Sequence, residues 1–256
     1  VMIKDRTLQA LLTREVRRQQ STIDLIASEN YISPDVLAVL GSPLTNKYSE
    51  GYPNRRYYPG NELYDEIELL AIERACRAFG LDVDDWHVNV QPYSGSPANV
   101  EVYLALVPPG ETIMGMQLAA GGHLTHGHPV SASGKFWHAV QYGVASSGLI
   151  DYDAVEKMAR ETKPKLIVCG FTAYPRHIDF ARFRAIADAV GAYLMADISH
   201  IAGLIAGGVH PSPFLHADVV MTTTHKTMRG PRGAVIFANR KSVVAKKAGV
   251  DIAAAI

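Results

Sequence analysis

A lysine near the end of the sequence stands where an amine could do covalent chemistry. Lys226 follows an apolar run, three threonines and His225, and it precedes a turn that contains Arg229 and Arg232. The apolar run favours a buried strand, whereas hydroxyls, an imidazole and guanidinium groups suit a wall that faces an anionic ligand. Cationic neighbours should lower the pKa of this lysine and leave a neutral amine that can condense with an aldehyde. The alternative is a solvated lysine on a surface loop.

An aspartate earlier in the chain could complete a cofactor site. Asp197 lies 29 residues before Lys226 and ends the apolar run 192–196, so its carboxylate should emerge at the edge of a sheet. Pyridoxal phosphate is an aldehyde that bonds to a lysine, and enzymes that use it pair its ring nitrogen with an aspartate. Asp197 could instead cap a helix that starts near His200. The lysine after one further strand favours the cofactor role.

A Ser-Gly-Ser turn is a candidate phosphate site. Ser94, Gly95 and Ser96 precede a helix that we expect to start near Pro97, where the missing N–H of proline costs nothing. Free N–H groups at the start of the helix and two hydroxyls could hold a phosphate. A simple capped turn is the alternative.

Three histidines, His123, His126 and His128, lie within six residues of one another. Such a cluster could bind zinc, but no cysteine or pair of carboxylates accompanies it. We therefore expect no metal site.

Composition narrows the class of protein. The chain has 256 residues, of which 48% are apolar, enough for one large domain or one domain with an arm. Its 25 basic and 25 acidic residues cancel, so no global field favours nucleic acid or an anionic membrane as partner. Cys76 and Cys169 lie far apart and indicate no disulfide framework, which fits the reducing cytoplasm. No apolar run is long enough for a membrane span.

Strand-like and helical patterns alternate along most of the chain. This alternation predicts an α/β fold, a mostly parallel sheet with helices on both faces and ligands at the strand ends. We predict helices over 5–20, 36–40, 61–79, from 97, over 152–161 and over 180–190, and strands over 88–90, 112–116, 166–171, 192–197, 219–223 and 235–238. Between 41 and 60 the pattern is irregular and rich in tyrosine, which indicates a functional loop.

Eight segments, taken in order, closely resemble the serine hydroxymethyltransferase family. They are LIASENY (25–31), NKYSEGYP (46–53), RYY (56–58), SGS (94–96), GGHLTHG (121–127), TAYPR (172–176), DISHIAG (197–203) and TTTHKTMRGPRG (222–233). The resemblance implies the pyridoxal-phosphate-dependent, aminotransferase-like fold (fold type I). It further implies an N-terminal helical arm over 1–40 and a cofactor-binding large domain over 41–256.

The resemblance also implies an activity. It is the reversible transfer of the serine hydroxymethyl group to tetrahydrofolate, giving glycine and 5,10-methylenetetrahydrofolate, with pyridoxal phosphate bonded to Lys226. A threonine aldolase or transaldolase that uses the same cofactor, or an inactive cofactor-binding fragment, are the alternatives. The family continues past Ile256 into a small domain that supplies a carboxylate-binding arginine. We therefore expect the sequence to be a fragment that lacks this domain.

Residue roles follow from the resemblance alone. The catalytic residues would be Lys226, Glu50, Asp197 and His225. Contacts to pyridoxal phosphate would come from Ser94, Gly95, Ser96, His123, Thr172, Asp197, His200, Lys226 and Tyr48. Contacts to serine or folate would come from Ser28, Tyr58, Leu118, Gly122, His123, Leu124 and Arg232.

The resemblance implies a homodimer with shared active sites. Tyr48, Glu50 and Tyr58 would reach into the site of the neighbouring copy. Pro97 and Ala120 depart from the family pattern, where glutamine and a charged or imidazole residue are usual.

Overall fold

A seven-stranded sheet forms the centre of the computed structural model, which describes residues 3–256. The strands of this part of the chain are β1 (Gly51–Tyr52), β2 (Arg55–Arg56), β3 (Trp86–Asn89), β4 (Thr112–Met116), β5 (His138–Tyr142), β6 (Leu166–Cys169), β7 (Tyr193–Asp197), β8 (Val219–Thr223) and β9 (Ala234–Asn239). The large sheet has the order β3-β9-β8-β7-β6-β4-β5, while β1 and β2 form a separate antiparallel pair. Six of the seven strands run in the same direction and β9 runs opposite to them, which confirms the predicted mostly parallel α/β sheet.

Helices precede and cover this sheet. They are α1 (Arg6–Ser21), α2 (Pro34–Leu40), α3 (Glu62–Phe79), α4 (Gly95–Leu106), α5 (Ala132–Phe136), α6 (Tyr152–Thr162), α7 (Phe180–Val190), α8 (Ala202–Ala206), α9 (Val243–Ala248) and α10 (Ile252–Ala255). Short 3₁₀ turns cover Pro43–Asn46 and Leu118–Ala120. The six predicted helices are confirmed, although α2 and α4 each begin two residues before the predicted start. Strand β5 and the pair β1–β2 were not predicted.

The core lies on both faces of the sheet. Alternate residues of a strand point to opposite faces, so Ile167 and Leu194 pack in one apolar cluster, while Leu166 and Met195 pack in the other. A strand that is buried on both sides reads as a continuous apolar run in the sequence. The helix boundaries are set locally. In α7, for example, the Asp179 carboxylate accepts from the N–H of Arg182, and Gly191 ends the helix with a left-handed φ of 71°.

Strands β8 and β9 form an antiparallel hairpin whose loop carries Lys226. Beyond the ladder, the N–H of Thr224 donates to the carbonyl of Gly233 at 3.0 Å. The N–H of Gly230 donates to the carbonyl of Thr224 at 2.7 Å. The lysine loop is therefore bonded across its base.

The N-terminal segment lies on the outside of this body. No apolar residue in 3–60 is buried, and Leu8, Leu11, Leu12 and Val16 of α1 are 46–54% exposed. Two hydrogen bonds join the segment to the lysine loop: Asn30 Nδ2 donates to the carbonyl of Lys226 at 2.8 Å, and Arg229 Nε donates to the carbonyl of Tyr31 at 2.7 Å. In residues 3–256, no helix combines the length and the apolar character that crossing a bilayer requires.

Candidate active site

A cavity of about 290 Å³ opens at the carboxyl ends of the parallel strands. The predicted residues in its lining are Ser28, Ser94, Gly95, Ser96, His123, Thr172, Asp197, His200, His225, Lys226 and Arg232. They come from the loops after β3, β4, β6, β7 and β8 and from the N-terminal segment. The expectation that a ligand site forms at the strand ends therefore matches the geometry.

The Asp197 carboxylate is held by donors on both oxygens. His126 Nε2 lies 3.0 Å and Asn99 Nδ2 lies 3.1 Å from Oδ2, while the hydroxyl of Ser199 donates to Oδ1 at 2.7 Å. Burial by itself would raise the pKa of this carboxyl, but these hydrogen bonds hold the pKa well below its usual range. The N-cap residue of α8 is Ile201, so Asp197 does not cap that helix. An ionised carboxylate is fixed at the cavity wall.

The ring of His126 is held in one tautomer. Its Nδ1 accepts the N–H of His123 at 3.2 Å, so the ring hydrogen must lie on Nε2, which faces Asp197. His126 is buried. A histidine that belonged to a possible zinc cluster in the sequence thus supports the aspartate instead.

Lys226 faces the same cavity from the loop after β8. Burial lowers the pKa of its amine, whereas the Asp197 charge acts in the opposite direction. The predicted direction is therefore confirmed, but the predicted cause is wrong, because burial rather than cationic neighbours dominates. A lower pKa leaves more neutral amine at neutral pH.

The N-terminus of α4 forms the wall beside Lys226. Ser94 is the N-cap residue in extended conformation, and its hydroxyl makes no capping hydrogen bond. The first N–H groups of the helix are left without intrahelical partners, as at any helix start. A Cβ on Gly95 would lie 2.7 Å from Thr223 Cγ2, so only glycine fits here without a shift. Pro97 falls in the first turn, where it removes no helical hydrogen bond.

Two further histidines of the cavity are neutral. Burial, followed by the charge of Lys226, lowers the pKa of His200 to about 4. Burial, followed by the charges of Arg232 and Lys226, also lowers the pKa of His225. Neither ring adds positive charge beside the lysine at neutral pH.

Six predicted residues lie outside the cavity lining. Tyr48, Glu50 and Tyr58 are exposed on the loop before α3, where the two tyrosine rings are 6.0 Å apart. Leu118 and Leu124 are exposed on either side of the turn after β4. Gly122 is buried in that turn, and a Cβ there would lie 2.0 Å from the carbonyl oxygen of Met116.

Sequence reasoning missed several residues of the site. Asn99, Thr125, His126 and Ser199 make the hydrogen bonds around Asp197 and His123. Their positions inside or just after the SGS, GGHLTHG and DIS segments are a signal that could have found them. Gly170 was also missed: it has a φ of 133°, and a Cβ there would lie 2.0 Å from the carbonyl oxygen of Asp197.

The cavity fits a flat, anionic aldehyde. An amine, an ionised carboxylate and a helix N-terminus line it, and these would meet the aldehyde, the ring nitrogen and the phosphate of pyridoxal phosphate. The Oδ1 atom of Asn99 is buried without a hydrogen-bond partner among the described residues. It offers an acceptor to a bound polar group.

Three features of this sheet define the fold type I class of pyridoxal-phosphate enzymes. They are a lysine after β8, an aspartate at the end of β7 and a helix N-terminus after β3. The family model described as serine hydroxymethyltransferase matches residues 1–256. The chain belongs to the serine hydroxymethyltransferase family.

Similar relatives come from several bacteria. "Serine hydroxymethyltransferase 2" of Pseudomonas fluorescens (strain Pf0-1) is 58% identical over 243 residues, which are 95% of this chain and 57% of the relative. "Serine hydroxymethyltransferase" of Desulfotalea psychrophila is 59% identical over 234 residues, which are 91% of this chain and 54% of the relative. The protein of the same name from Acidothermus cellulolyticus is 59% identical over 238 residues, 93% of this chain and 55% of the relative. The chain thus spans little more than half the length of these relatives.

Proposed function

We propose that this chain is the cofactor-binding part of a serine hydroxymethyltransferase. The reaction would be the reversible transfer of the serine hydroxymethyl group to tetrahydrofolate, which gives glycine and 5,10-methylenetetrahydrofolate. One observation carries the proposal: an amine with a lowered pKa, an ionised aspartate, an imidazole and a helix N-terminus share one cavity. Membership of the family supports the same reaction.

Three groups of residues would contact the phosphate, the ring face and the phenolic oxygen of the cofactor. The N–H groups at the start of α4 and the hydroxyls of Ser94 and Ser96 would bind the phosphate, because a helix N-terminus attracts anions. His123 would lie against the ring. Thr172 and His200 would face the phenolic oxygen.

Asp197 would act on the ring nitrogen. When bound, pyridoxal phosphate supplies an electron sink that stabilises negative charge at the α-carbon of an amino acid. A carboxylate that stays ionised would keep a proton on the ring nitrogen opposite it. The Asp197 carboxylate is buried, so water cannot screen this interaction.

Lys226 would supply the amine that joins the aldehyde. Only the neutral amine has a free electron pair, and burial of Lys226 increases the neutral fraction. His225 precedes Lys226 in the chain and would tune specificity without adding positive charge.

Residues around the cavity mouth would contact serine and folate. We assign Ser28 and Arg232 to the substrate side, and Leu118, Gly122 and Leu124 to the flat pterin. The two exposed leucines flank the turn that carries His123, so an apolar ring could pack on them.

A second copy of the chain would complete the site. Tyr48, Glu50 and Tyr58 do not line their own cavity, which supports their predicted reach into a neighbouring one. Tyr48 would then contact the phosphate, Tyr58 the substrate, and Glu50 would transfer a proton at the substrate hydroxyl. The unburied apolar residues of 3–60 support a homodimer that covers them.

We further propose that the protein is located in the reducing cytoplasm, because Cys76 and Cys169 are free thiols. We propose neither nucleic acid nor membrane as a partner, because the net charge is zero.

Cofactor bonding tests the first part of this proposal. The purified chain is incubated with pyridoxal phosphate, reduced with borohydride, digested and analysed by mass spectrometry. We expect the cofactor mass on Lys226, and no such label in Lys226→Ala. Lys241→Ala is the control, since Lys241 is an exposed lysine paired with Asp85. Labelling spread evenly over exposed lysines, with Lys226 unlabelled, would refute the assignment.

Turnover tests the second part. Serine and tetrahydrofolate are added to the loaded chain and glycine is measured; cleavage of threonine without folate would indicate the aldolase instead. Cofactor bonding without any turnover would identify a fragment that binds the cofactor only.

Shared sites are tested by mixing inactive variants. Lys226→Ala and Glu50→Gln are unfolded together and refolded, so that half of the dimers carry one copy of each. If Glu50 serves the neighbouring copy, one site in each mixed dimer is intact, and about a quarter of the normal activity returns. Activity that stays at the level of the separate variants would contradict the sharing.

A further inference from the structure

A buried chain of hydrogen bonds joins Asp197 to His123. We propose that Thr125 is the positioning residue that fixes the ring tautomer of His123 and connects this ring, through Asn99, to Asp197. The proposal rests on the proposed function only in giving His123 a place against the cofactor. The tautomer itself is a property of the protein alone.

The Asn99 amide is the first link. Its Nδ2 donates one hydrogen to Thr125 Oγ1 at 2.8 Å and the other to Asp197 Oδ2 at 3.1 Å. The opposite orientation would place the amide oxygen against an ionised carboxylate, so the donors must face this way. Asn99 is 1% and Thr125 5% exposed, which leaves water no access to the link.

The Thr125 hydroxyl is the second link. It accepts a hydrogen from Asn99, so its own hydrogen is available for His123 Nδ1, which lies 2.7 Å away. The backbone N–H of Thr125 also points at His123 Nδ1, at 3.2 Å. Because an N–H can only donate, Nδ1 must be the acceptor, and the ring hydrogen lies on Nε2. Burial, as the largest effect, lowers the pKa of His123 and keeps the ring neutral.

Thr125 is itself held in place from the far side. The fully buried Tyr103 donates its hydroxyl hydrogen to the carbonyl of Thr125 at 2.9 Å. This bond fixes the backbone of Thr125 without touching its hydroxyl. Tyr103→Phe therefore removes support from the same residue but leaves the link to His123 intact, which makes it a matched control.

The experiment reads the tautomer by NMR. The two ring nitrogens of ¹⁵N-labelled histidine differ widely in chemical shift according to which one carries hydrogen. In the protein without cofactor we expect His123 to carry hydrogen on Nε2. Thr125→Val keeps the shape and the backbone N–H, which lies 3.2 Å from His123 Nδ1, but removes the hydroxyl, whose bond of 2.7 Å is the shorter of the two. The share of the other tautomer should therefore rise, and affinity for pyridoxal phosphate should fall roughly two- to tenfold. Thr125→Ser should restore both properties.

Several results would overturn the proposal. Hydrogen on Nδ1 of His123 in the unmodified protein would do so, as would an unchanged tautomer in Thr125→Val. If Thr125→Val fails to fold, the test uses the unmodified protein, Thr125→Ser and Tyr103→Phe. All three should carry the ring hydrogen of His123 on Nε2. A protein that shows the expected tautomer but never binds pyridoxal phosphate would refute the proposed function and leave the role of Thr125 towards His123 standing.

Discussion

Two buried serines allow a sharp test of what holds Asp197. Ser199 donates its hydroxyl hydrogen to Asp197 at 2.7 Å and accepts the N–H of Thr223 at 3.1 Å. Ser242 does the same at a distance from the cavity: it donates to Asp218 at 2.6 Å and accepts the N–H of Ala245 at 3.1 Å. Both serines are buried. We compare Ser199→Ala with Ser242→Ala.

The two variants should lose similar amounts of stability. A hydrogen bond to a charged group contributes about 1.5–3 kcal/mol. Ser199→Ala also leaves the N–H of Thr223 without its acceptor, for about 1 kcal/mol more. Ser242→Ala loses the N-cap of α9, for about 1 kcal/mol. We expect each variant to unfold with a free energy about 3 kcal/mol lower than that of the unmodified protein.

The two variants should differ in cofactor binding. Asp218 also bonds to Arg184 at 2.7 Å and to the N–H of Leu194 at 2.8 Å, and it does not line the cavity. Ser242→Ala should therefore leave the dissociation constant of pyridoxal phosphate unchanged. Ser199→Ala weakens the hold on the Asp197 carboxylate and should raise that constant about tenfold, equivalent to about 1.4 kcal/mol.

Urea unfolding without cofactor and titration with pyridoxal phosphate measure the two quantities separately. If both variants change the affinity for pyridoxal phosphate equally, this affinity depends on global stability and not on the hydrogen bond to Asp197. An unchanged stability in Ser199→Ala would mean that the bond to Asp197 contributes nothing. Either result would refute the reasoning.

Three further predictions concern the walls of the site. Gly95→Ala should lower stability by about 1–3 kcal/mol and weaken phosphate binding, because its Cβ would lie 2.7 Å from Thr223. Urea unfolding and titration with inorganic phosphate measure the two effects, and an unchanged phosphate affinity would contradict the prediction. The rate at which Lys226 bonds to the cofactor should rise with pH, because burial favours the neutral amine. The midpoint of this rise should lie below the pKa of an exposed lysine, about 10.4. A stopped-flow pH series with a midpoint at or above that value would contradict the prediction. Arg56→Ala should lower the free energy of unfolding by about 3–5 kcal/mol, because the buried guanidinium pairs with two carboxylates of α3 at 2.8 and 2.5 Å. Arg77→Ala, on the exposed side of α3, is the control and should change this free energy little in urea unfolding.

Long apolar segments were predictable because their patterns are continuous. Strands β4 and β8 and helix α7 have the predicted boundaries, since each is fixed by its own residues and flanking turns. Strand β5 was missed because it lies at the sheet edge and is only partly buried, so His138 and Gln141 interrupt the apolar pattern.

The sequence allowed us to predict the residues that follow the strands in the candidate site, but not the hydrogen bonds between residues far apart in the chain. Lys226 and Asp197 each follow an apolar strand, and this position is visible in the sequence. The bond from His126 to Asp197 joins residues 71 positions apart, and that from Asn99 joins residues 98 positions apart. Such pairs depend on the order of strands in the sheet, which no local pattern contains. The cause of the lowered pKa of Lys226 was misjudged for the same reason, because burial is a property of the folded chain.

The reversed direction of β9 affects how Lys226 can move. Since the chain enters the loop through β8 and leaves it through β9, a large excursion of the amine has to break hydrogen bonds between two strands inside the sheet. Amide protons at the base of this hairpin should exchange with solvent as slowly as those of the sheet interior, even though the loop tip faces water. Covalent chemistry at position 226 thus takes place on a segment that opens only when the centre of the protein does.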